Sequence, residues 1–242
     1  MFDRPKHEQV ARLLGSLDAD LLRARRCYFG GGTAIVLRHG EYRESADVDF
    51  LVSDIDEYRA LRRVVGAGAG IAPLLIRPDA LAQFGDVRAD QYGIRAQLGV
   101  ADGIIKFEIV FEARIDLEEP ALDDVVLGVS TLSRRDMAAS KLLANSDRWL
   151  DDGMFSRDLI DLAMLELKPA AWQAAIEKAE SAYGAAIRSD LARAIDAMET
   201  RAGWLDRCLQ QLSVSVPKAL LWQRIRRLRP ATPGPGSLYS PP

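Results

Sequence analysis

The chain has 242 residues, enough for one large domain or two small ones, and its 48% hydrophobic and 28% charged content marks a globular rather than a disordered protein. A net charge of −3 argues against general electrostatic binding to nucleic acid, so any such surface must be local. The two cysteines, Cys27 and Cys208, form no disulfide framework, the N-terminus lacks an apolar signal-peptide core, and no apolar run reaches membrane-spanning length, so a cytoplasmic location is expected.

Taken in chain order, residues 6–26 read as one charged amphipathic helix, with Val10, Leu13, Leu14, Leu17 and Leu21 at helical spacing. Cys27–Phe29 is a short apolar strand, Gly30-Gly31-Gly32 a turn, and Thr33–Arg38 the start of a second helix. Ala46–Val52 alternates, with Val48, Phe50 and Val52 on one face and Asp47, Asp49 and Leu51 on the other. Ile55–Val65 is predicted helical, capped by Ser53 or Asp54. Tyr92–Val100 and Ile104–Glu112 are strands joined at Ala101-Asp102-Gly103, where Asp-Gly signals a hairpin. In the second of these strands Lys106, Glu108, Val110 and Glu112 share a face.

From Ser133 the pattern turns helical. Ser133 and Asp136 have capping-box spacing and open a helix to about Asn145. Further helices are predicted at 156–166, 169–183, 185–200, 201–212 and 217–229. The expected fold class is α+β: a mixed-sheet domain over residues 1–125, an all-helical domain over 126–229, and a Pro/Gly/Ser-rich disordered tail over 230–242.

The chemistry centres on Asp47-Val48-Asp49. A strand repeat of two places both carboxylates on one face, about 7 Å apart along the strand. Alone, such a pair commonly marks a solvated sheet face. Two close anions repel, however, and a divalent cation removes that penalty. Carboxylates at this spacing suit Mg²⁺, which combines a few protein oxygens with phosphate oxygens and water. Glu108, on the polar face of its own strand, joins Asp47 and Asp49 if the strands are neighbours, giving the layout of two-metal phosphoryl or nucleotidyl transfer. The turn Gly30-Gly31-Gly32-Thr33, between a strand and a helix N-terminus, lets backbone N–H groups approach a phosphate. It matches neither the P-loop nor the dinucleotide fingerprint.

Together, Gly31-Gly32-Thr33-Ala34 and Arg43-Glu44-Ser45-Ala46-Asp47-Val48-Asp49-Phe50 resemble the first motif of the nucleotidyltransferase superfamily, and more narrowly the AbiEii/AbiGii toxin family. The resemblance implies a nucleotidyltransferase-like fold and an enzyme of a toxin–antitoxin or abortive-infection pair. It would use Mg²⁺ (or Mn²⁺) to move NMP from an NTP to an acceptor such as tRNA or a protein, and a separate antitoxin protein would restrain it. It further implies that Gly31, Gly32 and Thr33 face the triphosphate beside Arg43 and Ser45, and that Asp47 and Asp49 hold the metals. Lys106-Phe107-Glu108 resembles the second motif, usually Lys-x-Asp, with Glu108 one methylene longer as third metal ligand or base. Lys141, Arg148, Arg157-Asp158 and Asp161 resemble the helical motif. It places Lys141 and Asp158 in the catalytic set and puts Arg148 or Arg157 on the triphosphate, with Asp158 and Asp161 orienting those cations.

Two other readings share these residues: a nucleotide-binding module with weak or lost catalysis, and an aminoglycoside-type small-molecule nucleotidyltransferase. His7 and His39 lack metal-ligand spacing. Lys218–Arg229 is a basic amphipathic helix, suited either to RNA phosphates or to a solvated terminal face.

Overall fold

The computed structural model describes residues 2–66, 68–101 and 103–230. Residues 231–242 of the expected tail, and Asp102 of the expected hairpin, lie outside them.

The N-terminal segment departs from the single helix expected over 6–26. It forms α1 (Pro5–Leu14) and α2 (Ala19–Ala24). Between them Leu17 pairs with Leu75 in an isolated antiparallel bridge, and the Asp18 carboxylate accepts the Leu21 N–H at 2.9 Å. Asp18 thus restarts the helix as an N-cap, and the long-range pairing at Leu17 overrides local periodicity.

A five-stranded mixed sheet follows, ordered β1 (Tyr28–Phe29), β2 (Val48–Val52), β5 (Gly103–Phe111), β4 (Gly93–Val100), β3 (Ala82–Ala89). β2 and β5 run parallel and the other neighbours are antiparallel. Alternation decides the faces. Val48, Phe50 and Val52 are buried together with Ile105, Phe107 and Ile109, and rings of Phe29, Phe50 and Phe107 step across three strands at 5.5 and 5.8 Å. The opposite face carries Asp49 directly across from Glu108. α3 (Gly31–Arg38) leaves the end of β1, and α4 (Ile55–Gly66) starts after Asp54, whose side chain accepts the N–H groups of Asp56 and Glu57.

The edge strand β3 is absent from the sequence expectations. It reads Ala-Gln-Phe-Gly-Asp-Val-Arg-Ala, without clean alternation, contains Gly85 at φ +70°, and slips register between Phe84 and Arg88. A small hairpin, β6 (Val125–Val126) and β7 (Val129–Ser130), precedes the helices.

Past it come α5 (Arg134–Arg148), α6 (Arg157–Leu165), α7 (Pro169–Tyr183), α8 (Ala186–Thr200), α9 (Trp204–Gln211) and α10 (Lys218–Arg227), close to the expected spans. Ser133 Oγ accepts the Asp136 N–H at 3.0 Å, so half of the expected capping box forms. The Asp136 carboxylate instead takes the Glu118 N–H at 2.7 Å and pairs with Lys178. One apolar core runs without a break from Val10 to Ile225, through the sheet and the helices alike. No helix among the described residues is long and apolar enough to cross a membrane.

Candidate active site

A cavity of about 270 Å³ opens between the polar face of the sheet and α5. Its lining includes Gly31, Gly32, Arg43, Ser45, Asp47, Asp49, Lys106, Glu108, Lys141, Arg148 and Arg157. Most of the residues singled out in the sequence therefore meet in one place.

The glycine turn is shaped by its neighbours. Gly31 has φ +67°, and a Cβ there would lie 2.6 Å from Asp49 Oδ2. A Cβ on Gly32 would lie 2.3 Å from Arg43 Nη2. The absent side chains thus admit a carboxylate and a guanidinium to the helix start, as well as leaving backbone N–H groups free to face an anion. Thr33, expected at the triphosphate, is 1% exposed, shares a 2.8 Å hydrogen bond with Ser45 and does not line the cavity. Its hydroxyl fixes the loop that carries Ser45 toward Asp47.

His7 supports the same loop. Its Nδ1 lies 2.6 Å from Glu41 Oε1, and Nε2 accepts the Ser45 N–H at 3.3 Å. A buried histidine on α1 is thus tied to the loop before the carboxylates, a link that no sequence spacing announces.

No hydrogen bond or ion pair among the described residues engages the side chains of Asp47 or Asp49, although both face the cavity. Burial raises the Asp49 carboxyl above its ordinary value; Lys106 opposes the rise, and Asp47 and Glu108 add to it. A pair of unpartnered, mutually repelling carboxylates fits a divalent cation. Glu108 is engaged differently. Arg95 Nε donates to its Oε1 at 2.6 Å and Lys106 Nζ lies 2.7 Å from its Oε2. The hydrogen bond to Glu108 in turn raises the Lys106 pKa. Among the described residues no group of three or more His, Cys, Asp or Glu side chains is arranged to hold a metal. The fit is therefore to Asp47 and Asp49, and Glu108 joins them only by giving up a cation.

The opposite wall is a buried charge network. Asp161, fully buried, accepts Arg43 Nε and Nη2 at 2.7 and 2.8 Å and the Tyr42 hydroxyl at 2.6 Å, with Lys141 Nζ 2.7 Å from its Oδ2. Asp158 accepts Lys141 at 2.8 Å and a fork from Arg148 at 2.7 and 2.9 Å. Burial disfavours both charged carboxylates, but the adjacent cations outweigh it, holding Asp158 well below the usual carboxylate range and lowering Asp161 as well. Neither Asp158 nor Asp161 lines the cavity. They aim Lys141, Arg43 and Arg148 at it, whereas Arg157, at the start of α6, lines it with no ion pair among the described residues.

Leu51, Val110, Glu112, Arg114, Ser140 and Ala144 also line the cavity and were not among the expected site residues. Strand alternation from Glu108 points to Val110 and Glu112, and one helical turn separates Ser140 from Ala144 beside Lys141. Arg114 has no local signal. Its Nε and Nη2 grip Glu112 at 2.9 and 2.7 Å, and its Nη1 reaches Asp147 at 3.0 Å and the Tyr183 hydroxyl at 3.1 Å.

In α10, Leu221 and Ile225 are buried, and two of its cations are paired, Lys218 with Asp206 and Arg224 with Glu166, as is Arg229, just past the helix, with Asp196. Much of the basic face is therefore neutralised.

A strand, a glycine turn at a helix start and two carboxylates facing clustered cations are the parts that nucleotidyl transfer requires. A family model described as "Nucleotidyl transferase AbiEii toxin, Type IV TA system" matches residues 12–225. The chain belongs to this family, the nucleotidyltransferase toxins of type IV toxin–antitoxin systems. No curated protein and no solved structure matches it.

Proposed function

We propose that this chain moves a nucleoside monophosphate from an NTP to a hydroxyl of tRNA or of a protein, and that a separate antitoxin protein restrains it. The observation that carries this reading is the meeting, in one cavity, of the Gly31-Gly32 turn, the unpartnered Asp47 and Asp49 carboxylates, and Lys106, Lys141, Arg148 and Arg157. Asp47 and Asp49 would hold Mg²⁺ (or Mn²⁺), which when bound supplies charge neutralisation for the reacting phosphate. The glycine-turn N–H groups and the cations then bind and orient the triphosphate, and fixed charges in a partly closed site stabilise the departing pyrophosphate. Asp158 and Asp161 act on this chemistry by holding Lys141, Arg148 and Arg43 in place.

The same reading gives residues 1–125 a nucleotidyltransferase-like fold, treats 126–229 as a helical domain appended to it, and puts the protein in the cytoplasm.

The test is incorporation of label from each of four α-³²P-NTPs, with Mg²⁺, into total tRNA. Wild type is expected to label tRNA, and an Asp47→Ala, Asp49→Ala double variant to leave it unlabelled. Equal labelling by both would remove the carboxylate pair from the mechanism. Absence of label with every NTP would remove tRNA as the acceptor.

One observation favours a second reading, a nucleotide-binding module with weak catalysis: Glu108 is held by both Arg95 and Lys106. Under that reading Glu108→Asp raises the transfer rate by an order of magnitude or more; under the first it leaves the rate unchanged or lower.

A further inference from the structure

We propose that the end of the cavity beyond the carboxylates is the subsite for the nucleobase of the incoming NTP, and that the Glu112–Arg114 pair reads the edge of that base. The inference rests on the nucleotidyl-transfer reading and assigns a role to residues that reading leaves unused.

The floor of the cavity changes character along its length. β2 and β5 are parallel and in register, with Asp49 opposite Glu108 and Leu51 opposite Val110. Alternation brings Asp49 and Leu51, and likewise Glu108, Val110 and Glu112, to the same face, each step about 7 Å along the strands. The glycine turn lies against Asp49 and so fixes the phosphate end. One strand step away the floor is aliphatic, Leu51 beside Val110, and a further step brings Glu112 and Arg114. The wall from α5 carries Ser140 and Ala144, one turn apart, small and only partly buried. Small side chains facing an aliphatic floor leave room for a flat ring, which gains from dispersion and from loss of contact with water. The aliphatic floor of Leu51 and Val110 offers nothing to a phosphate.

The pair at the far end suits a base edge better than an anion. The charge of Arg114 is spent on Glu112 and Asp147. Two of its N–H groups go to Glu112, and Nη1 serves Asp147 and Tyr183, leaving one N–H on Nη2. Glu112 Oε1 already takes the Arg114 backbone N–H at 3.0 Å and Nε, while Oε2 takes only Nη2. What remains is one donor beside one acceptor, the complement of the adjacent acceptor and donor on a nucleobase edge. The ion pair between Arg114 and the buried Glu112 holds both in place.

The experiment measures equilibrium binding, with Mg²⁺ present throughout, of tripolyphosphate and of each of the four NTPs. Wild type is expected to bind at least one NTP about tenfold more tightly than tripolyphosphate, or about 1.4 kcal/mol. Ala144→Leu, which fills the slot, abolishes that advantage and leaves tripolyphosphate affinity within about twofold. Val110→Phe on the opposite wall does the same and replaces Ala144→Leu should that variant not fold. Glu112→Gln reorders the four NTPs while tripolyphosphate binding is unchanged, a result that a purely structural role would not give. Equal wild-type affinity for tripolyphosphate and every NTP overturns the subsite but not nucleotidyl transfer. So does an Ala144→Leu loss shared equally by both ligand types. If neither tripolyphosphate nor any NTP binds wild type, the nucleotidyl-transfer reading falls and the subsite with it.

Discussion

At the scale of single residues, the site depends on carboxylates that never reach the cavity. Asp161 is fully buried and neutralises Arg43 and Lys141, both themselves buried. Asp161→Asn keeps the shape but leaves buried Arg43 without its carboxylate partner and Lys141 with Asp158 alone, at a cost of about 3–5 kcal/mol. Urea denaturation reads this as a lowered midpoint, and a loss under about 1 kcal/mol would mean that the pairs contribute little. The sequence displays Asp158 and Asp161 at a spacing that resembles the family's helical motif, and it displays Arg43 before the carboxylate pair. It does not display that Arg43 and Asp161, 118 residues apart, are bonded to each other. The same limit explains Arg95, whose claim on Glu108 follows from strand register, and Thr33, whose hydroxyl is used on Ser45.

At the scale of elements, legibility follows from whether a segment carries its own start signal. α5 has Ser133, α7 has Pro169 in its first turn and α10 follows Pro217, and all three form close to where they were expected. β3 has no such signal; it exists because β4 offers it an edge, and its poor alternation fits an exposed edge strand. The break between α1 and α2 is likewise imposed from outside, by Leu75. Helix α5 bears most on function, since it presents Ser140, Lys141, Ala144 and Arg148 to the cavity. Ser133→Ala removes its N-cap and costs about 1 kcal/mol. In a chain of this size that lowers the thermal midpoint by roughly 2–4 °C, and an unchanged melting curve would show that packing alone fixes the start of α5.

At the scale of the whole molecule, the balance of shifted acids sets the response to pH. Glu41, Glu118, Asp158 and Asp161 have lowered pKa values in the fold, from ordinary values of 4.5 for Glu and 3.8 for Asp. Each binds protons more weakly folded than unfolded, so its stabilisation is complete above the unfolded value and is lost as pH falls through the folded one. Asp49 and Asp136, raised by burial, act in the opposite sense but are fewer. Burial, with Arg134, Arg38 and Arg224 nearby, lowers the His39 pKa from 6.5 to about 4, so the stability of its neutral form is lost as pH falls through that range. Urea midpoints are therefore expected to decline from about pH 6 and to fall steeply below about pH 4; a midpoint constant to about pH 3 would overturn this balance. The continuous core has a further consequence. The loop bearing Arg43 is pinned not only by Asp161 but also by backbone bonds from Ser215 to Tyr42 and from Glu44 to Leu212, at 2.8 and 3.0 Å. On a translating ribosome the loop bearing Arg43 therefore lacks these last bonds until some 170 later residues have emerged. A prematurely terminated nascent chain would carry every acid of the first motif without the bonds that close the loop before them.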